Sequence, residues 1–274
     1  MLTKDVAFTQ AKSLLATYDL IEFLGKDSIE CVFAAGSVFE GFGNEQSDID
    51  LFFVLNKDRE SFIRDFVKKN PDFAFYKRRS KIILIIRYQE MDFDIEFHTV
   101  SQVLTDIEDV NNNAIGSRDF NFDFWHRIQY AQGLYNSENI DNLKGFLNYD
   151  MFKLIKPKYN QTYFYVNIVD VIGAYESQDF QTSYLIVREL LEETIVGYLS
   201  LYGETNPSKK WLIKKIQRYS TNYEHSINLL DMLSKAYNGV ELSDEKVLKF
   251  KTEQILKYCQ HLNYLCEKLL KGGY

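Results

Sequence analysis

The chain has little cysteine. Cys31, Cys259 and Cys266 are the whole set, too few and too scattered to frame disulfides or to build a zinc site, so they read as reduced, mostly buried thiols. It has no uninterrupted apolar run of the length that a signal peptide or a membrane span requires; Met1 leads instead into Lys4-Asp5 and an amphipathic segment. The expectation is a cytoplasmic protein with no membrane partner. An excess of positive charge is also missing: 32 lysines and arginines stand against 39 aspartates and glutamates, a formal net charge of −7. An overall field of that sign disfavours a long nucleic acid as partner, while a local basic groove stays open. What the chain does have is 274 residues, 46% hydrophobic and 15% aromatic, enough for two domains or one elaborated one.

The stretch Val32 to Leu55, VFAAGSVFEGFGNEQSDIDLFFVL, is the most informative. Val32 to Ala35 reads as a buried strand that stops at Gly36-Ser37, and a polar connection bearing Gly41, Gly43 and Asn44 follows. Ser47-Asp48-Ile49-Asp50-Leu51 then opens a second buried strand, Phe52 to Leu55. The period of two sends Asp48 and Asp50 to one face and Ile49 and Leu51 to the other. Two adjacent carboxylates raise each other's pKa unless a cation neutralises them, and Mg²⁺ is the economical cation, since it takes one or two carboxylates and fills its other positions with water and phosphate oxygens. Gly36, without a side chain, would let a phosphate approach the turn, where backbone N–H groups and the Ser37 hydroxyl can meet it.

Gly36-Ser37, ten residues, then Asp48-Ile49-Asp50 resembles the signature of the DNA polymerase β-like nucleotidyltransferase superfamily. The resemblance implies a third carboxylate on a neighbouring strand. In Met91 to His98, Asp92, Asp94 and Glu96 alternate with Phe93, Ile95 and Phe97, so the acids share a face. Asp94 is the expected third carboxylate, with Glu96 in reserve. The resemblance further implies two Mg²⁺ ions on Asp48, Asp50 and Asp94, and phosphate contacts from Gly36, Ser37 and the adjoining Ser47.

Around this motif, residues 4–24 carry helical periodicity in one or two helices ending at Gly25. A helix over 57–69 stops at Asn70-Pro71, and strands are expected over 73–76, 82–88 and 93–99. The basic cluster Lys77, Arg78, Arg79 and Lys81 reads as a solvated turn. Ser101 is the expected N-cap of a helix over 102–110, and another helix is expected over 122–133, with His126-Arg127 more simply core or surface than nucleotide-facing. From about Phe146 onward the pattern turns to long helices, over 159–175, 180–202, 207–219, 223–236 and 243–270, with Asp179, Asn206 before Pro207, and Ser243 as caps. The tyrosines at helical spacing, among them Tyr159, Tyr165 and Tyr184, read as core and rim. The fold class is therefore α+β: a nucleotidyltransferase-type mixed sheet with helices over 1–145, then a helical bundle over 146–274.

A small catalytic domain followed by a helical bundle is similar to the small-molecule branch of the superfamily, the aminoglycoside-type nucleotidyltransferases. That likeness implies transfer of a nucleoside monophosphate, AMP from ATP being the expected case, to a hydroxyl of a small-molecule acceptor. Lys209 and Lys210, placed in a first helical turn where the dipole disfavours them, are candidate phosphate contacts, though simple exposure accounts for them equally. Glu189, Glu192 and Glu193 are candidates for acceptor selection or a general base. The competing readings are an enzyme that makes a nucleotide signal or modifies a protein or tRNA, and a non-catalytic, antitoxin-like nucleotide-binding module.

Overall fold

The structure, a computed structural model, describes residues 2–78, 81–113, 120–223 and 227–271, with the Arg78 side chain left aside. The chain divides into two units, Met1–Asn148 and Tyr149–Tyr274, each with its own hydrophobic core. The class is α+β. Among the described residues no helix is long and apolar enough to cross a membrane.

The first unit opens with α1 (Lys4–Thr17) and α2 (Leu20–Leu24), the second closed at Gly25 with a positive φ. Strand β1 (Ile29–Ala35) leads into the one-turn helix α3 (Ser37–Glu40), and β2 (Ile49–Leu55) returns antiparallel beside β1. After α4 (Glu60–Lys69) come β3 (Ala74–Arg78), β4 (Lys81–Tyr88) and β5 (Met91–Thr99). Helices α5 (Val100–Asn111) and α6 (Phe122–Ile128), strand β6 (Gln132–Tyr135) and α7 (Ser137–Phe146) complete the unit. The sheet has six strands in the order β3-β4-β5-β2-β1-β6. Only β2 and β5 run parallel, through the α4-to-β4 crossover; every other neighbouring pair is antiparallel.

Alternation divides the central strands cleanly. Val32, Ala34, Leu51, Phe53, Phe93, Ile95 and Phe97 join the core with Ala11 and Leu14 of α1 and Ile63 and Phe66 of α4. On the other face Phe33 and Phe52 stack with centroids 5.0 Å apart, and Phe124 of α6 lies 5.9 and 6.0 Å from them. That second face carries the acids.

Several expected boundaries are corrected. The helix expected over 122–133 stops at Ile128, and Gln132 to Tyr135 instead forms an edge strand on β1; four residues are too short for a periodicity signal, and pairing with a ready-made strand decides them. Thr99, not Ser101, caps α5, in a reciprocal capping box with Gln102. The expected 159–175 helix begins ten residues earlier, as α8 (Tyr149–Glu176), and runs through Pro157. Helix α9 (Phe180–Leu201) is capped by Asp179 as expected. The next helix does not start at Pro207. Asn206 closes a turn onto the Ser208 N–H at 2.9 Å, a 3₁₀ turn spans Lys209–Trp211, and α10 covers Leu212–Asn222. Asn228 caps α11 (Leu229–Tyr237), so the helix expected from 223 starts six residues later; residues 224–226 lie outside the described residues. Asp244, not Ser243, caps α12 (Glu245–Lys271) by accepting from the Val247 N–H at 3.0 Å.

Truncating Phe52 should remove its ring contacts with Phe33 and Phe124 and leave a cavity in the sheet's second face. Phe52→Ala is expected to cost about 3–5 kcal/mol in urea unfolding. Phe250→Ala, on an exposed face of α12 (60% accessible), should cost under about 0.5 kcal/mol.

Candidate active site

Gly36 ends β1 with φ 93°, a left-handed conformation that disfavours any side chain. Its more demanding constraint is steric. A Cβ built on Gly36 would fall 1.8 Å from Oδ2 of Asp50, the residue facing it from β2, because Ala35 and Asp50 are paired in the antiparallel register. The glycine makes room for a protein carboxylate before it makes room for any ligand. Ser37 starts α3, and its carbonyl accepts from the Phe42 and Gly43 N–H groups at 2.8 Å, folding the connection back toward β2. Ser47 closes the same connection: its hydroxyl accepts from the Asn44 N–H at 2.8 Å. Asp48 lies exposed just before β2, and Asp50 is buried within it (8% accessible).

The parallel register sets Asp50 directly beside Asp94 and Phe52 beside Glu96, at the strand spacing of about 4.8 Å. The carboxylates of β5 then separate by their partners. Asp92, exposed at the strand's outer end, meets Arg87 at 3.7 Å. Asp94 is half-buried, and burial together with the Asp48 and Glu96 charges raises its pKa. Burial also pushes against the Glu96 carboxylate, yet hydrogen bonding from His98 (3.2 Å) and the Lys81 charge (3.4 Å) prevail and hold it at about 2. Glu96 is thus an ion-paired strut. Lys81 reaches back onto the sheet, and Lys77 pairs with Glu60 at 2.6 Å, so these two members of the basic cluster are not simply solvated; the Arg78 side chain and Arg79 lie outside the described residues.

The residue that sequence reasoning passed over is Arg127. Its guanidinium donates to Asp50 Oδ1 at 2.5 Å and to Asp123 Oδ1 at 3.1 Å, above the Phe52 ring at 5.7 Å. His126, beside it, lies 3.0 Å from Glu40 at the end of α3. The preceding Trp125 donates its indole N–H to Asp106 at 2.9 Å, a carboxylate that burial raises to about 6. Asp123 and Arg127, four apart on one helix face, were the available signal. Burial is also the largest influence on Asp50, lifting it to about 7 despite the opposing Arg127 charge.

The second unit holds the remaining candidates. Lys209 Nζ sits among Glu189 (3.3 Å), Glu193 (3.5 Å) and Glu192 (3.6 Å). One ammonium group is thus shared among three carboxylates, and Glu193 also meets Lys156 at 3.3 Å. Lys210 is exposed and lies over the Trp211 ring at 5.2 Å. Of the tyrosines, Tyr184 is core while Tyr159 and Tyr165 are exposed.

The donor set at the sheet suits Mg²⁺ in kind. Asp48, Asp50 and Asp94 offer hard carboxylate oxygens, and the ionised forms of the latter two are disfavoured by burial and by neighbouring acids, a condition that a bound cation relieves. As the side chains stand, no three His, Cys, Asp or Glu groups among the described residues form a metal cage; the cation against Asp50 is Arg127.

With this geometry established, the comparisons define a class of fold. The solved structure of a nucleotidyltransferase-like protein from Exiguobacterium sibiricum 255-15 superposes with a TM-score of 0.51 at 11% identity, over 96% of this chain and 77% of that one. The chain has a nucleotidyltransferase-like fold. No protein-family model matches the sequence, and no curated protein does.

Two outcomes test the Gly36–Asp50 contact and its charge. Gly36→Ala should cost upwards of about 3 kcal/mol, because strain at positive φ adds to the clash. In Gly36→Ala/Asp50→Ala the steric part disappears and only the backbone part remains, so denaturation of the four proteins in a double-mutant cycle should give a large coupling. Because the folded pKa of Asp50 lies above its unfolded value near 3.9, its contribution to stability is present in full below about pH 4 and is lost as pH rises through about 7. Melting temperatures in chelator from pH 4 to 8 should fall more steeply for the wild type than for Asp50→Asn.

Proposed function

We propose that the chain is a Mg²⁺-dependent nucleotidyltransferase that moves a nucleotidyl group, AMP from ATP being the expected one, onto a hydroxyl of a small-molecule acceptor. The observation that carries this reading is the parallel register of Asp50 and Asp94 behind Gly36-Ser37. In the proposed reaction the acceptor oxygen attacks the α-phosphorus and the bond to the β-phosphate oxygen breaks. Pyrophosphate leaves with that electron pair. Mg²⁺, held by Asp48, Asp50 and Asp94, would supply charge neutralisation at the triphosphate and acidify the attacking hydroxyl. Asp94, beside Asp50 in the parallel register, would help hold the ion that activates the acceptor hydroxyl. The Ser37 hydroxyl, which has no described hydrogen-bond partner, and the backbone N–H groups opening α3 suit phosphate oxygens. Arg127 keeps Asp50 neutralised in the protein alone. Lys209 and Lys210 are not required by this reading.

The Arg127–Asp50 pair also favours a second reading, a nucleotide-binding module without turnover, in which the guanidinium permanently takes the place of a metal.

Incubation with labelled nucleoside triphosphates, Mg²⁺ and a panel of hydroxyl acceptors, with product masses measured, separates the two. Asp50→Asn and Asp94→Asn should each lower transfer by roughly a thousandfold while the protein stays folded, and Asp92→Asn should change it less than about twofold. Equal losses at Asp92 and Asp94 would remove the register argument. Nucleotide binding by calorimetry with no product from any acceptor would favour the module.

A further inference from the structure

The second unit contains a cavity of about 380 Å³ that the nucleotidyl reading does not use. Its walls are apolar: Leu212 and Ile213 from α10, and Leu230 and Leu233 from α11, with the Tyr237 ring closing one side. Ile213, Leu230 and Tyr237 are 46%, 42% and 38% accessible. Large side chains this exposed, converging on one concavity of the size that small-molecule sites have, mark a binding surface more than a packing fault.

The charges at the rim decide what kind of molecule fits. Glu192 at the cavity edge accepts from the Tyr237 hydroxyl and faces Lys209. Lys209 is shared with Glu189 and Glu193, and Glu193 also meets Lys156 at 3.3 Å. Every carboxylate at the rim is therefore engaged by a cation or a hydroxyl. Lys210 differs. It lines the cavity, is exposed, and has no carboxylate partner among the described residues, its described contact being the Trp211 ring. At the mouth of this apolar cavity Lys210 is thus a cation with no carboxylate against it among the described residues.

We propose that this cavity binds a small amphipathic anion, an aliphatic or aromatic body with a single acidic head group that meets Lys210. The apolar walls take the body, for which desolvation supplies the affinity, and Lys210 orients the head. All of its lining residues belong to the unit Tyr149–Tyr274.

The test is fluorescence titration of the full-length protein with anilinonaphthalene sulfonate, followed by competition with octanoate and with octylamine. One saturable site is expected, displaced by octanoate and not by octylamine. Lys210→Glu should weaken the probe by about tenfold and Lys210→Arg should leave it within about twofold. Leu230→Trp, at an already exposed wall position, should abolish saturable binding by filling the cavity. Circular dichroism of each variant checks that the helices are intact. Absence of a saturable site, equal displacement by octylamine, or an affinity unchanged in Lys210→Glu would each overturn the proposal.

Discussion

A carboxylate placed inside a sheet is the constraint on which the first unit depends. Asp50 stands on a strand whose seven residues are all buried, and its Oδ2 takes the space where the side chain of residue 36 would otherwise be. Ionised at that depth it is unfavourable without a cation, and the fold supplies Arg127. Three separate features follow from this one charge: the glycine at the end of β1, the antiparallel register that brings Ala35 opposite Asp50, and a helix that carries a guanidinium to it.

That helix, α6, has only seven residues, and four in succession make different attachments. Phe124 packs on Phe33, Phe52 and the His98 ring, Trp125 ties to Asp106 on α5, His126 meets Glu40 on α3, and Arg127 meets Asp50 on β2. A helix this short has almost no intrinsic stability, so its position is set by these tertiary contacts. They also make the site electrostatically coherent. Arg127 bears on Asp50, Glu96 and Asp94, Lys81 and His98 bear on Glu96, and at Asp94 burial with the Asp48 and Glu96 charges outweighs the Arg127 charge. A cation is most wanted there, which is the physical basis of the proposed metal role.

In the second unit charge is handled by local cancellation. Glu204 and Arg218 pair through two contacts in a buried setting, the fully buried Lys215 donates to the Asn206 carbonyl at 2.7 Å, and Lys209 gathers three glutamates. Residues 204–206 are buried although their sequence, Glu-Thr-Asn ahead of Pro207, is that of a surface loop. Each of their polar groups must be matched at that depth, and the Asn206 turn onto Ser208 that does part of this delays the helix to Leu212.

The sequence by itself determined the α+β class, the two central strands flanking Gly36-Ser37 and Asp48-x-Asp50, the alternating β5, and the helical character of the second half. These rest on periodicity and on short-range turn chemistry, and both are local properties of the chain. Within the motif it also determined that Asp92, Asp94 and Glu96 share a face, because the pleat allows nothing else. It did not determine which of them would be free, since that depends on Arg87 and Lys81 arriving from β4 to join His98 of β5 itself. Nor did it reveal that Gly36 makes space for Asp50, that Arg127, 77 residues away, would neutralise it, or that residues 132–135 would leave a helix to pair with β1. Those were decided by tertiary structure alone. A buried charge or a four-residue segment takes its state from whichever partner the fold brings to it, and the identity of that partner is not encoded within any short window of sequence.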